Sequence, residues 1–371
     1  MLNLKKIFFL FTFSIIWASL CNAQTQSDFD VKINELDKLI NEQVFEKGIP
    51  SIAVGIIHNG EIILAKGYGY ADVENKVLAT GNSIYQIGSV TKVFTGYLLA
   101  NFISQKAISL DEPVADFFPE SIRFPKPQSE LDITIKEIAT HSAEFPRYPA
   151  NLQRIDPNPI RGYSVEEMYD GIEMVTIDTI SGTRYNYSNF GYGILGLAIE
   201  NRFETDLSKL MNEYIFMPYS MNNTSLYLND SIKKELTVPY LDNTPYKRTE
   251  PWAMGTLSGA GNLFSSVSDL NKFMIRMLET NEVNRTQQTK YFYINETWSY
   301  GLGCFIVDSK KYDTQVIYHG GDIDGYASSF SVYPEYDLGF VILTNLGEGE
   351  IVGEALTVIS EFIAKNFIAQ Q

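Results

Sequence analysis

Apolar residues recur along this chain at helical and at strand spacing, and the order of the two patterns indicates a fold. From 28 to 45 they fall three or four residues apart, which predicts an amphipathic helix. Two strand-like segments, 51–58 and 61–70, flank Asn59-Gly60, a dipeptide that favours a tight hairpin turn. A last amphipathic helix is predicted from about 351 to 367. It follows four further strand-like segments, 301–307, 314–318, 326–332 and 338–344.

The region between the two groups of strands, roughly 95–280, has the pattern of helices and loops and contains no linker or repeat. This order predicts an α+β fold, in which an antiparallel β-sheet is flanked by the N- and C-terminal helices and carries an inserted, mostly helical lobe. We expect a single domain over 24–371. Its sheet lobe would be formed by about 24–88 and 285–371, and its helical lobe by about 89–284. The cleft between two lobes is the default place for a site.

The first residues have the pattern of an export signal. Two lysines precede an apolar run from Ile7 to Leu20, and a small-residue site follows at Cys21-Asn22-Ala23. We predict a signal peptide over 1–23 that is cleaved after Ala23, and a periplasmic or secreted protein. The run is too short for a good membrane span, so no stable membrane insertion is expected after its removal. A lipoprotein signal ending at Cys21 is the alternative, but the preceding Leu20 is bulkier than lipoprotein processing prefers.

Charge and cysteine usage exclude several classes of protein. The net charge of −16 makes nucleic acid or an anionic membrane surface a poor partner. If Cys21 is removed with the signal peptide, Cys304 is the single cysteine that remains, and no intrachain disulfide is possible. Cys304 lies in a strand-like apolar segment without a Cys/His pattern, which favours core packing. We expect a small-molecule or peptide substrate as the partner, and the oligomeric state is left open.

No cofactor is expected from the sequence. The string Gly191–Gly196 fits a dinucleotide fingerprint, but it does not follow a convincing strand and has no suitably placed acidic partner. Close helix packing explains its small residues better. His58, His141 and His319 are far apart in the sequence, which argues against a zinc site.

Ser89 and Lys92 carry the first candidate chemistry. Apolar residues recur at helical spacing from Val90, so Ser89 opens a helix and Lys92 lies one turn in, on the same side. A lysine whose pKa is lowered by burial can take the proton of a serine and activate it as a nucleophile. A helix N-cap followed by a solvated lysine gives the same spacing by chance. The apolar character of this helix favours the catalytic interpretation, because a buried lysine needs a buried polar partner.

Tyr187 and Asn189 form the second candidate element. In an extended loop, alternate residues face one way and would offer a phenol and a carboxamide to a common site. A tyrosine whose pKa is lowered by a neighbouring lysine can act as a general base. The alternative is simple packing, since the chain holds 23 tyrosines.

The third element is His319-Gly320-Gly321-Asp322, at the end of the strand-like segment 314–318. The two glycines let a backbone or a substrate approach closely. A strand edge with free N–H groups beside a nucleophile can hold an extended substrate and an oxyanion. A structural, hydrogen-bonded histidine at a strand end is the alternative interpretation of His319.

Taken together and in this order, the three elements resemble the penicillin-recognising serine hydrolases. That family includes class C β-lactamases, D-alanyl-D-alanine carboxypeptidases, and related esterases and D-aminopeptidases. Its motifs are Ser-x-x-Lys, Tyr-x-Asn and Lys- or His-x-Gly, which match Ser89–Lys92, Tyr187–Asn189 and His319–Gly321. The surrounding sequence is similar to the family over most of the mature chain, for example at 49–55 and 259–263.

The resemblance implies catalytic roles position by position. Ser89 would be the acylated nucleophile, and Lys92 and Tyr187 would share the transfer of protons. The oxyanion would lie between the backbone N–H groups of Ser89 and Asp322. Whether the lysine or the tyrosine is the base for acylation stays open, as in related Ser-x-x-Lys enzymes.

The resemblance also implies substrate-binding residues. Asn189 would bind the substrate's amide. His319, with Gly320 and Gly321, would line the cleft where class C β-lactamases carry a lysine, and would contact the substrate carboxylate or Tyr187.

Two departures from the family pattern affect this interpretation. Where relatives often have His-Thr-Ser-Gly-Leu, this chain has His141-Ser142-Ala143-Glu144-Phe145, so a turn glycine is replaced by Glu144. Histidine in the third motif is commoner in the peptidase and esterase branches than in efficient β-lactamases.

The sequence therefore predicts an exported serine hydrolase that forms an acyl-enzyme on Ser89 with amides or esters such as D-amino-acid peptides or β-lactams. A short-chain carboxylesterase of the same fold, or a non-catalytic binding relative, is the alternative.

Overall fold

The computed structural model describes residues 29–129, 131–153, 162–347 and 349–368. The expected signal peptide, 1–23, and the alternative anchor at Cys21 lie outside these residues. No helix in the described part of the chain has both the length and the apolar character that crossing a membrane requires.

The first hairpin and the last strands form one antiparallel sheet, as the sequence predicts. Nine of the described strands pair in the order β3-β2-β1-β13-β12-β11-β10-β9-β8. Short ribbons are formed by β4 with β7 and by β5 with β6. The strands are Ser51–His58 (β1), Glu61–Asp72 (β2), Val77–Leu78 (β3), Tyr85–Gln86 (β4), Tyr240–Asn243 (β5), Tyr246–Arg248 (β6), Phe264–Ser265 (β7), Phe292–Tyr293 (β8), Trp298–Tyr300 (β9), Phe305–Ser309 (β10), Thr314–Ile323 (β11), Tyr326–Tyr333 (β12) and Leu338–Thr344 (β13).

Helices cover both faces of the sheet and form the inserted lobe. The α-helices are 29–45 (α1), Thr91–Ser104 (α2), Ile135–Ala139 (α3), Val165–Glu173 (α4), Asn189–Phe203 (α5), Leu207–Met211 (α6), Asp230–Glu235 (α7), Ser258–Gly261 (α8), Val267–Leu278 (α9), Glu282–Gln287 (α10) and Glu350–Ile368 (α11). The 3-10 turns are Gly88–Val90, Val114–Phe117, Gly255–Leu257 and Pro334–Tyr336, and a π-helical turn follows α6 at Asn212–Phe216.

Strands β1 and β13 are apolar at nearly every position because both of their faces are covered. In β1, Ile52 and Val54 pack with α1 and α11 in one hydrophobic cluster, whereas Ala53 and Ile57 join the cluster formed with α2, α5 and α9. All seven residues of β13 are buried as well. A helix–sheet–helix arrangement with two hydrophobic layers follows from this alternation.

The hairpin at Asn59-Gly60 forms as predicted, with both residues in the left-handed region (φ +52° and +75°). The two largest differences from the predicted strand boundaries are in β10 and β11. The strand expected over 301–307 begins only at Phe305, because Gly303 adopts φ +77° in a tight turn. The strand expected to end at Tyr318 continues to Ile323, because it pairs with β12 along that length.

The buried side chain of Asn345 links segments that are distant in the sequence. Its Oδ1 accepts hydrogen bonds from the backbone N–H and the hydroxyl of Ser51, both at 2.7 Å. Its Nδ2 donates to the carbonyl of Val238 at 3.0 Å, and to those of Tyr70 and Ala71 at 3.3 and 3.4 Å. One carboxamide thus joins the end of β13 to the first hairpin and to the segment around Val238 that precedes β5.

We predict that Asn345→Ala destabilises the protein by about 3 kcal/mol, because it leaves a buried N–H and several buried carbonyls without partners. Urea unfolding followed by tryptophan fluorescence measures the loss. The matched control is Asn366→Ala, which removes a single hydrogen bond to the carbonyl of Phe362 within α11. Equal unfolding free energies for the two variants would contradict the linking role of Asn345.

Candidate active site

The turn before α2 places Ser89 at the mouth of a cavity. Gly88–Val90 form a 3-10 turn. The α-helix that was expected to begin at Ser89 therefore begins two residues later, at Thr91. Gly88 has φ +52°, and a Cβ there would lie 3.1 Å from the backbone nitrogen of Asp322. Glycine therefore permits both the turn and the close approach of β11. Ser89 itself is half-buried, whereas its neighbours Gly88 and Val90 are buried.

Lys92 is completely buried and reaches Ser89, as the spacing predicts. Its Nζ lies 3.2 Å from Oγ of Ser89, 2.7 Å from Oδ1 of Asn189 and 2.6 Å from the carbonyl oxygen of Ala260. Burial, and secondarily the positive charge of Arg147, lower the pKa of Lys92 well below its ordinary value. A neutral amine has two hydrogens and one lone pair. With the hydrogens donated to the two carbonyl oxygens, the lone pair faces the Ser89 hydroxyl.

Tyr187 lies beside both Ser89 and Lys92. Its hydroxyl hydrogen-bonds with the Ser89 side chain, and Nζ of Lys92 lies 4.8 Å from the centre of its ring. Burial raises the pKa of Tyr187 above its ordinary value, although the Ser89 hydrogen bond and the Arg147 charge lower it. The expectation that a neighbouring lysine lowers this pKa is therefore wrong, because desolvation of the phenolate outweighs the nearby charges. A neutral phenol is a proton donor to Ser89.

Asn189 reaches the same site from the start of a helix, not from the extended loop that was expected. Ser188 is the N-cap of α5 and its Oγ accepts a hydrogen bond from the N–H of Gly191 at 2.8 Å. Asn189 is the first residue of α5, and its backbone N–H donates to the carbonyl of Arg147 at 3.0 Å. Since Lys92 occupies its Oδ1, the donors of the Asn189 carboxamide are its Nδ2 hydrogens.

The third wall is an open strand edge. Strand β10 begins at Phe305, opposite Tyr318, so that 319–323 of β11 pair with β12 and with no other described strand. A Cβ at Gly321 would lie 2.1 Å from the carbonyl oxygen of Ile87, so only glycine lets this edge approach the turn that carries Ser89. A cavity of about 320 Å³ lies between them. It is lined by Ser89, Arg147, Tyr187, Phe305, the segment 318–322, Ser328 and Leu356.

His319 is buried within β11 and not at a strand end as expected. Its Nδ1 lies 2.6 Å from the carbonyl oxygen of Gly320 and its Nε2 lies 3.4 Å from the hydroxyl of Tyr300. Burial is the main cause that lowers the pKa of His319 to about 3. The ring therefore lines the cavity in its neutral form, with both nitrogens within hydrogen-bond distance of protein groups. The centre of the Tyr187 ring is 6.3 Å away.

Sequence reasoning missed three residues that the fold brings to this site. Arg147 places its guanidinium carbon 5.5 Å from the centre of the Tyr187 ring. His141 packs against Tyr187 with their ring centres 4.4 Å apart, and Tyr300 lies between His141 and His319. The sequence did offer a signal for His141, because the segment 141–145 stands where the family has a recurring motif that begins with histidine. Nothing near Arg147 or Tyr300 in the sequence distinguishes them from other surface or core residues.

Glu144 shows how the loop tolerates its missing glycine. The residue adopts φ +63°, the left-handed conformation that glycine favours. Its side chain is nearly buried and accepts hydrogen bonds from Arg184 at 3.2 and 2.5 Å. This bidentate pair holds the strained turn that precedes Arg147.

The assembled groups can carry out nucleophilic acyl transfer. A serine hydroxyl lies between a neutral amine and a neutral phenol, with a carboxamide and an open strand edge beside it. The close approach of the Asp322 nitrogen to Gly88 brings two backbone N–H groups, those of Ser89 and Asp322, to one end of the cavity.

The sequence matches a known protein family. The family model described as Beta-lactamase matches residues 36–361. Protein flp of Staphylococcus aureus (strain N315) is 24% identical over 321 residues, which cover 84% of this chain and 63% of Protein flp. The chain thus spans less than two thirds of the length of that curated relative.

Solved structures agree in fold. The Beta-lactamase/D-alanine carboxypeptidase from Yersinia pestis, complexed with citrate, gives a TM-score of 0.76 at 16% identity, covering 88% of this chain and 99% of that protein. The class C beta lactamase from Rhodobacter sphaeroides gives a TM-score of 0.75 at 19% identity, covering 91% of this chain and all of that protein (100%). At such identities the likeness concerns the fold alone. The resemblance drawn from the three motifs is confirmed by the family match over most of the sequence, and the chain belongs to the Beta-lactamase family.

Proposed function

We propose that this protein is an exported serine hydrolase that forms an acyl-enzyme on Ser89 with amide or ester substrates, such as D-amino-acid peptides or β-lactams. The observation that carries the proposal is the fully buried amine of Lys92, 3.2 Å from the Ser89 hydroxyl. Burial keeps this amine neutral, and two carbonyl oxygens occupy its hydrogens. A base of this kind is what a serine nucleophile needs.

Acylation begins when Lys92 takes the proton of Ser89 and the serine oxygen bonds to the substrate carbonyl carbon. The negative charge that develops on the carbonyl oxygen is stabilised by the N–H groups of Ser89 and Asp322. The bond from carbon to the leaving nitrogen or oxygen then breaks. Tyr187 gives its proton to the leaving atom and regains one from the protonated Lys92.

Deacylation repeats these steps with water. The water loses a proton to the Lys92–Tyr187 pair and its oxygen bonds to the acyl carbon. The ester bond to Ser89 breaks, and the proton returns to the serine oxygen. Asn189 Nδ2 and the edge of β11 hold the acyl portion during both steps.

The peptidase and β-lactam substrates are favoured by the likeness in fold to the Yersinia pestis protein, which is described as a Beta-lactamase/D-alanine carboxypeptidase. One observation favours the esterase alternative. His319 is neutral, so it offers no cation for the carboxylate that peptides and penicillins carry beside the scissile bond. Among the described residues that line the cavity, Arg147 is the one with a cationic side chain.

We predict that Ser89→Ala abolishes both acylation and turnover, by at least about 1,000-fold, because no other group can replace the nucleophile. Intact-mass spectrometry after incubation with a fluorescent penicillin measures the adduct. Hydrolysis of a p-nitrophenyl ester and of a D-alanine amide measures turnover. The matched control is Ser104→Ala at the far end of α2, whose hydroxyl bonds only within that helix.

A Ser89-dependent penicillin adduct would support the peptidase and β-lactam substrates. Ester hydrolysis that depends on Ser89, without any penicillin adduct, would support the esterase. If the unaltered protein shows neither, the proposal fails and the non-catalytic alternative gains.

We also predict that Arg147→Ala moves the acid limb of the kcat/KM profile to higher pH. The amine of Lys92 must be neutral to accept a proton, and the Arg147 charge lowers the pKa of Lys92. Removing that charge raises the pKa, so activity is lost at a higher pH as the solution is acidified. Arg147→Lys keeps the cation and serves as the control. An acid limb at the same pH in both variants would contradict the electrostatic role of Arg147.

A further inference from the structure

Behind the cavity, two buried histidines and a buried tyrosine form a chain of hydrogen bonds that the proposed mechanism does not use. His141 Nε2 lies 3.2 Å from the hydroxyl of Tyr300, which lies 3.4 Å from His319 Nε2. The three side chains are at most 2% exposed. This chain of hydrogen bonds connects the loop that carries Tyr187 to the strand edge that would hold the substrate.

A backbone donor fixes the proton at the His141 end. The N–H of Ser188 donates to His141 Nδ1 at 3.1 Å, so this nitrogen must carry its lone pair. Burial lowers the pKa of His141 well below its ordinary value. The neutral ring then has its hydrogen on Nε2, which donates to the oxygen of Tyr300.

A backbone acceptor fixes the proton at the His319 end. The carbonyl oxygen of Gly320 can only accept, so Nδ1 of His319 must carry the hydrogen that it donates across 2.6 Å. The neutral ring of His319 therefore has its lone pair on Nε2. The two histidines are required to adopt opposite tautomers.

Tyr300 holds the one proton that completes the chain. Its oxygen accepts from His141, and its own hydrogen has two acceptors nearby, His319 Nε2 and the hydroxyl oxygen of Tyr192. Tyr192 already donates its hydrogen to the carbonyl of Ala139 at 2.7 Å. The imidazole nitrogen is the stronger acceptor, and leaving it unbonded in a buried site would incur its full desolvation penalty.

We propose that His141 and Tyr300 are positioning residues, which, through one directed hydrogen-bond chain, hold neutral His319 and the edge of β11 in register with Tyr187 and Ser89. The chain runs from the Ser188 N–H through His141, Tyr300 and His319 to the Gly320 carbonyl. Ser188 lies between Tyr187 and Asn189, and Gly320 lies two residues before Asp322. Both walls of the cavity are therefore tied to the same chain, and its catalytic consequence rests on the proposed function.

The chain also defines what His319 does not do. Both of its ring nitrogens have protein partners, and a proton added at Nε2 would leave two donors, the new N–H and the Tyr300 hydroxyl, facing each other. We infer that His319 does not bind a substrate carboxylate, and that it acts on the substrate only by fixing the strand edge.

Nitrogen-15 NMR of the histidine rings tests the chain directly, without any substrate. The protein has three histidines, and His58, which is half-buried and outside the site, is the internal reference. At neutral pH we expect His141 with its hydrogen on Nε2 and His319 with its hydrogen on Nδ1. The same tautomer in both rings, or a mixture in either, would overturn the proposal whether or not the protein proves to be a serine hydrolase.

Tyr300→Phe removes the central hydroxyl and keeps the ring. We expect the Nε2 resonance of His319 to shift toward that of an unbonded imidazole nitrogen, and kcat to fall about 10- to 100-fold with little change in KM. Tyr97→Phe is the control, because it removes another buried tyrosine hydroxyl, one that bonds with Tyr219 at 2.7 Å away from the site. An unchanged His319 resonance, or equal kcat values in the two variants, would overturn the proposal. If Tyr300→Phe fails to fold, the tautomers of the unaltered protein decide the question.

Discussion

The complete burial of one lysine amine is the constraint on which the rest of this structure depends. Moving an ammonium group out of water costs several kcal/mol, and no carboxylate among the described residues is found hydrogen-bonded to Lys92. Its favourable state is therefore the neutral amine, held by carbonyl oxygens from α5 and from α8. The helices of the inserted lobe are packed so that Asn189 and Ala260 meet Lys92 at the same point.

The sheet supplies the opposite half of the site, and its construction explains why the two halves meet. Strand β1 pairs with β13, so the first and last parts of the described chain form one support and the helical lobe is attached to it at both ends. Asn345, directly after β13, is hydrogen-bonded to Ser51 at the start of β1 and to Val238 before β5. Glycines at 88 and 321 then allow the turn before α2 to touch the edge of β11, because a Cβ at 321 would clash with Ile87 and one at 88 would crowd the backbone of Asp322.

The sequence predicts well what is encoded locally. The hairpin, the strand β13 and the reach of Ser89 to Lys92 follow from side-chain spacing and turn chemistry, which tertiary contacts did not override. Strand β11 was predicted too short because His319-Gly320-Gly321 interrupts the apolar pattern, whereas pairing with β12 keeps the backbone extended. The pKa of Tyr187, and the places of His141, Arg147 and Tyr300, depend on packing between distant segments and have no local signal.

The distribution of charge around Lys92 completes the argument. Where class C β-lactamases carry a lysine in the third motif, this chain has His319, and hydrogen bonds on both sides hold that ring neutral. The β11 wall thus contributes no cation from this position. The field that helps to keep Lys92 neutral comes from Arg147, on the wall of Tyr187. Positive charge at this cavity therefore lies at Arg147, on the side of the phenol, and not at the third motif. If the proposed function holds, we expect a substrate to be selected by what it offers to Arg147 and Asn189 more than by an anion beside its scissile bond.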